Sequence, residues 1–211
     1  MTIQTVAPSS VASLASASQW PAQGQWRYDD YLRLPDDGKR YEIIAGVLYV
    51  ANAPSYEHQF TVAETIFFLR SFVGQHQLGV VLPAPFEVHL SETTRPAQPD
   101  VLFIRADRQP GHGTQFFVGA PDLIVEVLSP SSIRLDRQIK FDAYEQASVA
   151  EYWIADPKTR SVEVYTLSNN EYALLGQYTA DELIESSVLA GLRLKTSGLF
   201  PPTTPTTSTA P

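Results

Sequence analysis

This sequence predicts a mixed α/β fold, a single domain in which one mixed β-sheet is flanked by helices. Three observations carry that reading. Apolar residues recur at helical spacing through one long segment, from Tyr56 to about Gln75. Several shorter runs after it are rich in Val, Ile, Leu and Phe, as strands are. The order is helix, strands, helix, strands, which departs from regular βαβ alternation and points to a mixed sheet.

In chain order, Gln25 to Leu34 reads as a short helix, stopped by Pro35 and the turn Asp36-Asp37-Gly38. Tyr41 to Val50 (YEIIAGVLYV) reads as a strand pair, or a strand bent at Gly46. Ser55 is placed to cap the long helix over 56–75. Its apolar stripe is Val62, Ile66, Leu69 and Val73, widened by Phe67 and Phe68. Strands are expected at Val80–Leu90, Asp100–Arg105 and Asp122–Leu128. The last of these contains LIVEVL, an almost wholly apolar run suited to a central strand covered on both faces. A helix over Ile133–Gln146 follows the stop Ser129-Pro130-Ser131-Ser132. Three further strands are expected at Glu151–Asp156, Ser161–Leu167 and Tyr172–Tyr178, with Asn169-Asn170 turning between the last two. Residues 1–24, rich in Ser, Ala, Gln and Pro, read as a flexible leader, residues 25–200 as the folded domain, and residues 201–211 as a disordered Pro/Thr tail.

Composition narrows the chemistry. The 211 residues suffice for one domain with a full core, and the apolar share of 44% suits a globular protein. The absence of cysteine excludes disulfide scaffolds, thiolate zinc sites and cysteine nucleophiles. No apolar run is long enough to span a bilayer, and no Lys or Arg precedes Arg27, so no secretory signal is expected. The expectation is a cytoplasmic protein without membrane contact. The net charge of −8 argues against broad, non-specific coating of nucleic acid.

The informative stretch runs from Pro99 to Tyr144. It holds two Pro-Asp pairs, a lone glutamate inside an apolar strand, and a lysine on the next helix. Glu126, within LIVEVL, is costly to bury unless it is protonated, ion-paired or metal-bound. Asp122 shares its strand face but lies roughly 13 Å away along it, too far to share one ion. Asp100, which opens the run DVLFIR, sits beside Glu126 if the two strands pair, neighbouring strands being about 4.8 Å apart. The simpler alternatives are a strand-end salt bridge for Glu126 and turn residues after proline for Asp100 and Asp122. Asp136, Lys140 and Tyr144 share one helix face. On that face Lys140 is either one half of a surface ion pair or a cation reaching back toward Glu126.

Taken together, YEIIAGVLYV, SYEHQ, QPDVLFI, GAPDLIVEVLSPSS, the Asp136/Lys140/Tyr144 helix and VAEYWIADP resemble the Uma2 family of restriction endonucleases, over about Trp26 to Phe200. That family is placed among the PD-(D/E)xK nucleases. The resemblance implies a restriction-endonuclease-like fold, with Asp100 as the PD aspartate and Glu126 as the acid of (D/E)xK. The lysine of that motif would stand at position 128, where this chain has Leu128; Lys140 from the following helix fits the role instead. The family pattern also includes Glu42 and His58, each with a structural alternative: a salt bridge at a strand start, and an ordinary helical histidine.

The expected function is a Mg2+- or Mn2+-dependent endonuclease acting on DNA. Asp100, Glu126 and a backbone carbonyl near Val127 hold the metal, Lys140 assists the attacking water or balances charge, and Glu42, His58 and Asp136 are accessory. The rival expectation is a catalytically silent nuclease fold that binds a partner; Leu128 and the acidic charge favour it. A glycosidase using two carboxylates is the third class, disfavoured because a pair sharing one ion lies closer than the roughly 5–9 Å glycosidases need. Relatives in the superfamily are often dimers, so a homodimer through the strand-rich C-terminal part is also expected.

Overall fold

The computed structural model describes residues 3–5, 20–51 and 53–202. The expected leader and tail therefore fall largely outside the described residues. Ile3–Thr5 is placed as a strand, β1. Residues 20–24 already pack on the domain: Trp20 stacks on Trp26, and the Gly24 amide donates to the Gly46 carbonyl.

The expected first helix shrinks to one turn, α1 (Tyr28–Tyr31). The strand pair is a hairpin, β2 (Arg40–Ile44) and β3 (Val47–Ala51), with β1 on its outer edge. Ala45 and Gly46 turn it with φ of 50° and 73°, the left-handed pair that a two-residue hairpin requires. Alternation gives the hairpin two faces. Tyr41, Ile43 and Leu48 pack on Trp26. Ile44 and Tyr49 pack toward Leu135 and Ile139, and Glu42 belongs to that second face by parity.

Helix α2 spans Tyr56–Gln75, and Ser55 caps it by accepting from the His58 amide. Val62, Ile66, Leu69 and Val73 pack into the core as expected. Phe67 does not: it is 61% exposed, because the inward face follows His58, Thr61, Thr65, Leu69 and Val73. The first half of that stripe is polar, so the start of the helix approaches something other than apolar core.

The principal sheet has six strands in the order β11-β10-β9-β8-β6-β4. They are β4 (Gly79–Pro83), β6 (Val101–Arg105), β8 (Leu123–Val127), β9 (Glu151–Asp156), β10 (Ser161–Ser168) and β11 (Glu171–Thr179). The β8–β9 pairing is parallel and the others antiparallel, so the sheet is mixed as expected. The expected strand over Val80–Leu90 divides at Ala84-Pro85 into β4 and β5 (Glu87–His89). β5 pairs in parallel with β7 (Phe116–Val118), a strand too short and exposed to show a period in the sequence. A small pair, β12 (Leu183–Ile184) and β13 (Leu194–Lys195), closes the C-terminal end. Among the described residues no helix is long and apolar enough to cross a membrane.

Two cores cover the two faces of the sheet. Val101, Phe103, Leu123, Val125 and Val127 meet Leu69 and Val73 of α2. Leu102, Ile104, Ile124 and Leu128 meet Tyr144, Tyr152 and Ile154. The second cover is the segment expected as a plain helix over Ile133–Gln146. It instead forms one wide π-turn, Leu135–Lys140, followed by helix α3 (Phe141–Gln146). π-turns inside helices recur at functional positions.

Candidate active site

The β6–β8 register pairs Val101 with Val125. One step further places Asp100 opposite Glu126. Directly opposed residues of an antiparallel pair share a face, with Cα atoms about 4.5–5.5 Å apart. The two acids therefore converge at the end of the central strands, while Asp122 lies at the other end. There it accepts from the Arg105 amide at 2.9 Å and from Arg108 at 3.1 Å, a structural role.

Asp100 is 4% exposed and held from three directions. Its Oδ2 accepts from the Val127 amide at 3.0 Å and lies 3.1 Å from His58 Nε2 on α2. Its Oδ1 lies 3.4 Å from an Arg40 guanidinium nitrogen at the start of β2. Burial alone would raise its pKa, but the His58 hydrogen bond and the Arg40 charge outweigh burial and hold it well below the usual carboxylate range.

Glu126 is 2% exposed and sits on the α3 face of β8. Its Oε1 accepts twice, from Lys140 Nζ at 2.8 Å and from the Tyr144 hydroxyl at 2.7 Å. Lys140 is wholly buried and also lies 3.2 Å from Glu42 Oε1. Desolvation would lower the Lys140 pKa, but Glu126, Glu42 and Asp136 outweigh it, and the amine is held as an ammonium. The cation expected to reach back from the helix is thus in place. The π-turn and α3 direct Asp136, Lys140 and Tyr144 inward together, with exposures of 2%, 0% and 0%.

Glu42 receives the Gln98 amide at 2.7 Å on Oε1. Its Oε2 is buried without a hydrogen-bond partner among the described residues, and the nearest Arg40 nitrogen is 4.0 Å away. Asp136 Oδ1 is likewise buried and unpartnered. Burial, reinforced by the Asp100 and Glu42 charges, pushes the Asp136 pKa up to about 6 against the opposing pull of Lys140. Glu126 is driven upward too, first by burial and then by Asp100, Asp136 and Glu42. Four buried carboxyls share two permanent cations, Arg40 and Lys140. The raised acids are the electrostatic sign of that shortage of positive charge.

Asp100, with Arg40, His58 and Gln98, borders a cavity of about 440 Å³; Glu126, Glu42, Asp136 and Lys140 lie outside its lining. His58, Gln98 and Asp100 line its depth and are buried. Lys39, Gln59 and Pro85 line its mouth and are exposed.

The family called Uma2, described as a putative restriction endonuclease, matches residues 28–197. The chain belongs to the Uma2 family. The Uma2 match spans every element of the cluster, from Arg40 to Tyr144. A crystal structure of a putative nuclease of the DUF820 family from Anabaena variabilis aligns with a TM-score of 0.70 at 21% identity. It covers 82% of this chain and 97% of that one, and shows that the fold is shared. No curated protein matches the chain. Within this Uma2 chain, two members of the cluster went unrecognised in the sequence. Arg40 stands two residues before Glu42, on the same strand face, which is a readable signal. Gln98 stands two residues before Asp100 and has no signature of its own.

Proposed function

We propose that this Uma2 protein is a metal-dependent nuclease hydrolysing phosphodiester bonds in DNA. A Mg2+ or Mn2+ ion would be held by Asp100 and Glu126, with the backbone carbonyl of Val127 as third ligand. One observation carries the reading: four buried carboxyls, Asp100, Glu126, Glu42 and Asp136, outnumber the buried Lys140 and the partly buried Arg40, and Asp100 among them lines an accessible cavity. That imbalance suits a divalent ion, and hard oxygen donors suit Mg2+ or Mn2+. Among the described residues no set of three or more His, Asp or Glu side chains is disposed to hold a metal. The proposed donor set is two carboxylates completed by backbone and water, a coordination that Mg2+ accepts.

Such an ion supplies Lewis-acid polarisation of the phosphoryl oxygen and lowers the pKa of a water molecule. The chain supplies position and charge. His58, Arg40 and the Val127 amide fix the Asp100 carboxylate in one rotamer. Lys140 and Tyr144 fix one oxygen of Glu126. Lys140 sits between the Glu126 and Glu42 carboxylates, which favour its ammonium form. Of the two tasks expected of it, balancing charge is the one this pairing favours. Arg40, partly buried in the lining of the same cavity, is placed to meet the phosphate that enters.

The competing reading is a silent fold used for binding. It is favoured by Leu128, packed in the core where the motif has lysine, and by the closed bonding around Glu126. Hydrolysis of single-stranded and supercoiled circular DNA with Mg2+ or Mn2+ separates the two. Activity is expected in the wild type, with a loss of at least about a hundredfold in Glu126→Ala. Equal residual cleavage by both proteins would leave the silent reading standing.

A further inference from the structure

The cavity that leads to Asp100 is too small to enclose an intact double helix. At about 440 Å³ it lies within the size range of small-molecule pockets. The carboxylate at its floor is 4% exposed, beneath walls formed by Tyr31, Tyr41 and Pro85. A duplex is stiff over about 150 base pairs, and taking one nucleotide out of its stack breaks pairing and stacking. A single strand bears no such cost.

Charge points the same way. Duplex binding without base contacts draws its affinity from many phosphate contacts and the counterions they release. This chain carries 15 Lys and Arg against 23 Asp and Glu. The cations lining the cavity are few: Lys39 sits 2.7 Å from Asp37, and Arg40 is engaged with Asp100 and Glu42. No long basic track is needed if one nucleotide is held by the pocket itself.

The pocket has the means. Tyr31 and Tyr41 are tethered through their hydroxyls to Glu87 at 2.8 Å and Asp37 at 3.0 Å. The partly exposed Tyr31 ring is therefore a fixed wall surface against which a base can pack, while Tyr41, buried against Trp26, backs the wall. Two deep lining residues keep buried polar atoms without a partner among the described residues, Gln98 Oε1 and His58 Nδ1. An unfilled buried acceptor is a cost that a ligand's donor removes.

We infer that this site takes single-stranded DNA, admitting one unpaired nucleotide at a time, rather than a paired duplex. The inference rests on the nuclease reading for the location of the site, but it concerns binding and is tested without hydrolysis. Fluorescence anisotropy of the full chain with Ca2+ compares a short labelled single strand with the same strand in a duplex. The single strand should bind at least about tenfold more tightly. Gln59→Trp, a substitution at an exposed helix position on the mouth, should weaken single-strand binding while leaving the circular dichroism spectrum unchanged. Tyr31→Ala should weaken it as well. Equal or tighter duplex binding, no binding of either strand form, or single-strand binding unaffected by Gln59→Trp would each overturn the inference. A single-strand preference in a protein that cleaves nothing would keep it and remove the catalytic reading instead.

Discussion

Lys140 decides the state of the residues around it. It is the one buried ammonium among the described residues, and its two nearest oxygens belong to Glu126 and Glu42, 2.8 Å and 3.2 Å away. Removing it leaves buried carboxyls without compensation, which costs about 3–5 kcal/mol when a buried pair is broken from one side. Lys140→Met should therefore lose about that much stability in urea denaturation at neutral pH. Adding Glu126→Gln to Lys140→Met should recover part of the loss, because the second change removes the stranded charge. A double variant no more stable than the single would show that the pair is not coupled. The acids themselves were legible in the sequence: a glutamate inside LIVEVL and an aspartate opening DVLFIR are conspicuous against apolar surroundings. Their partners were less so. Whether Lys140 pairs with Asp136 on a surface or with Glu126 in the interior depends on which way the helix faces, and i, i+4 spacing alone allows both.

Among the elements, α2 and the π-turn do most to build the site. α2 brings His58 to Asp100 because Ser55 caps it at the correct residue, satisfying the His58 amide. Ser55→Ala should cost about 1 kcal/mol in chemical denaturation. It should also loosen the His58–Asp100 contact, read as a shift in the His58 imidazole resonances. Unchanged resonances would place the helix start under the control of packing instead. The extent of α2 follows from period and cap and was readable as 56–75. The wide turn over Leu135–Lys140 was not, because a π-turn has no composition of its own and arises when inward side chains must meet fixed partners. The same holds for β7, three residues paired with β5, and for Phe67, whose neighbours are apolar while its own face is solvent.

The whole molecule adds a constraint through its buried phenols. Tyr152 is fully buried, and burial, then the negative charge of Asp136 and Glu126, raises its pKa well above the ordinary 10.0. Tyr144 is raised for the same leading reason. A folded-state pKa raised above the unfolded value contributes stability that is fully present below the unfolded value and lost as pH rises past it. Above about pH 10 these phenols should make the urea midpoint fall, with tyrosinate absorbance from their rings appearing together with unfolding. Absorbance that completes its rise while the fold persists would contradict their burial.

Local pattern alone determined the class of fold, the long helix, the hairpin, the central strands and the identity of Asp100, Glu126 and Lys140 as the residues to examine. Each of those follows from spacing along one segment, and spacing is written in the chain. The convergence of Arg40, Glu42 and His58, drawn from the first third of the chain, onto two acids in the middle belongs to the tertiary structure. So do the protonation of Lys140, the elevation of Glu126 and Asp136, and the recessed cavity. Those properties come from distances between groups remote in sequence and from the loss of water around them, and neither exists until the layers close.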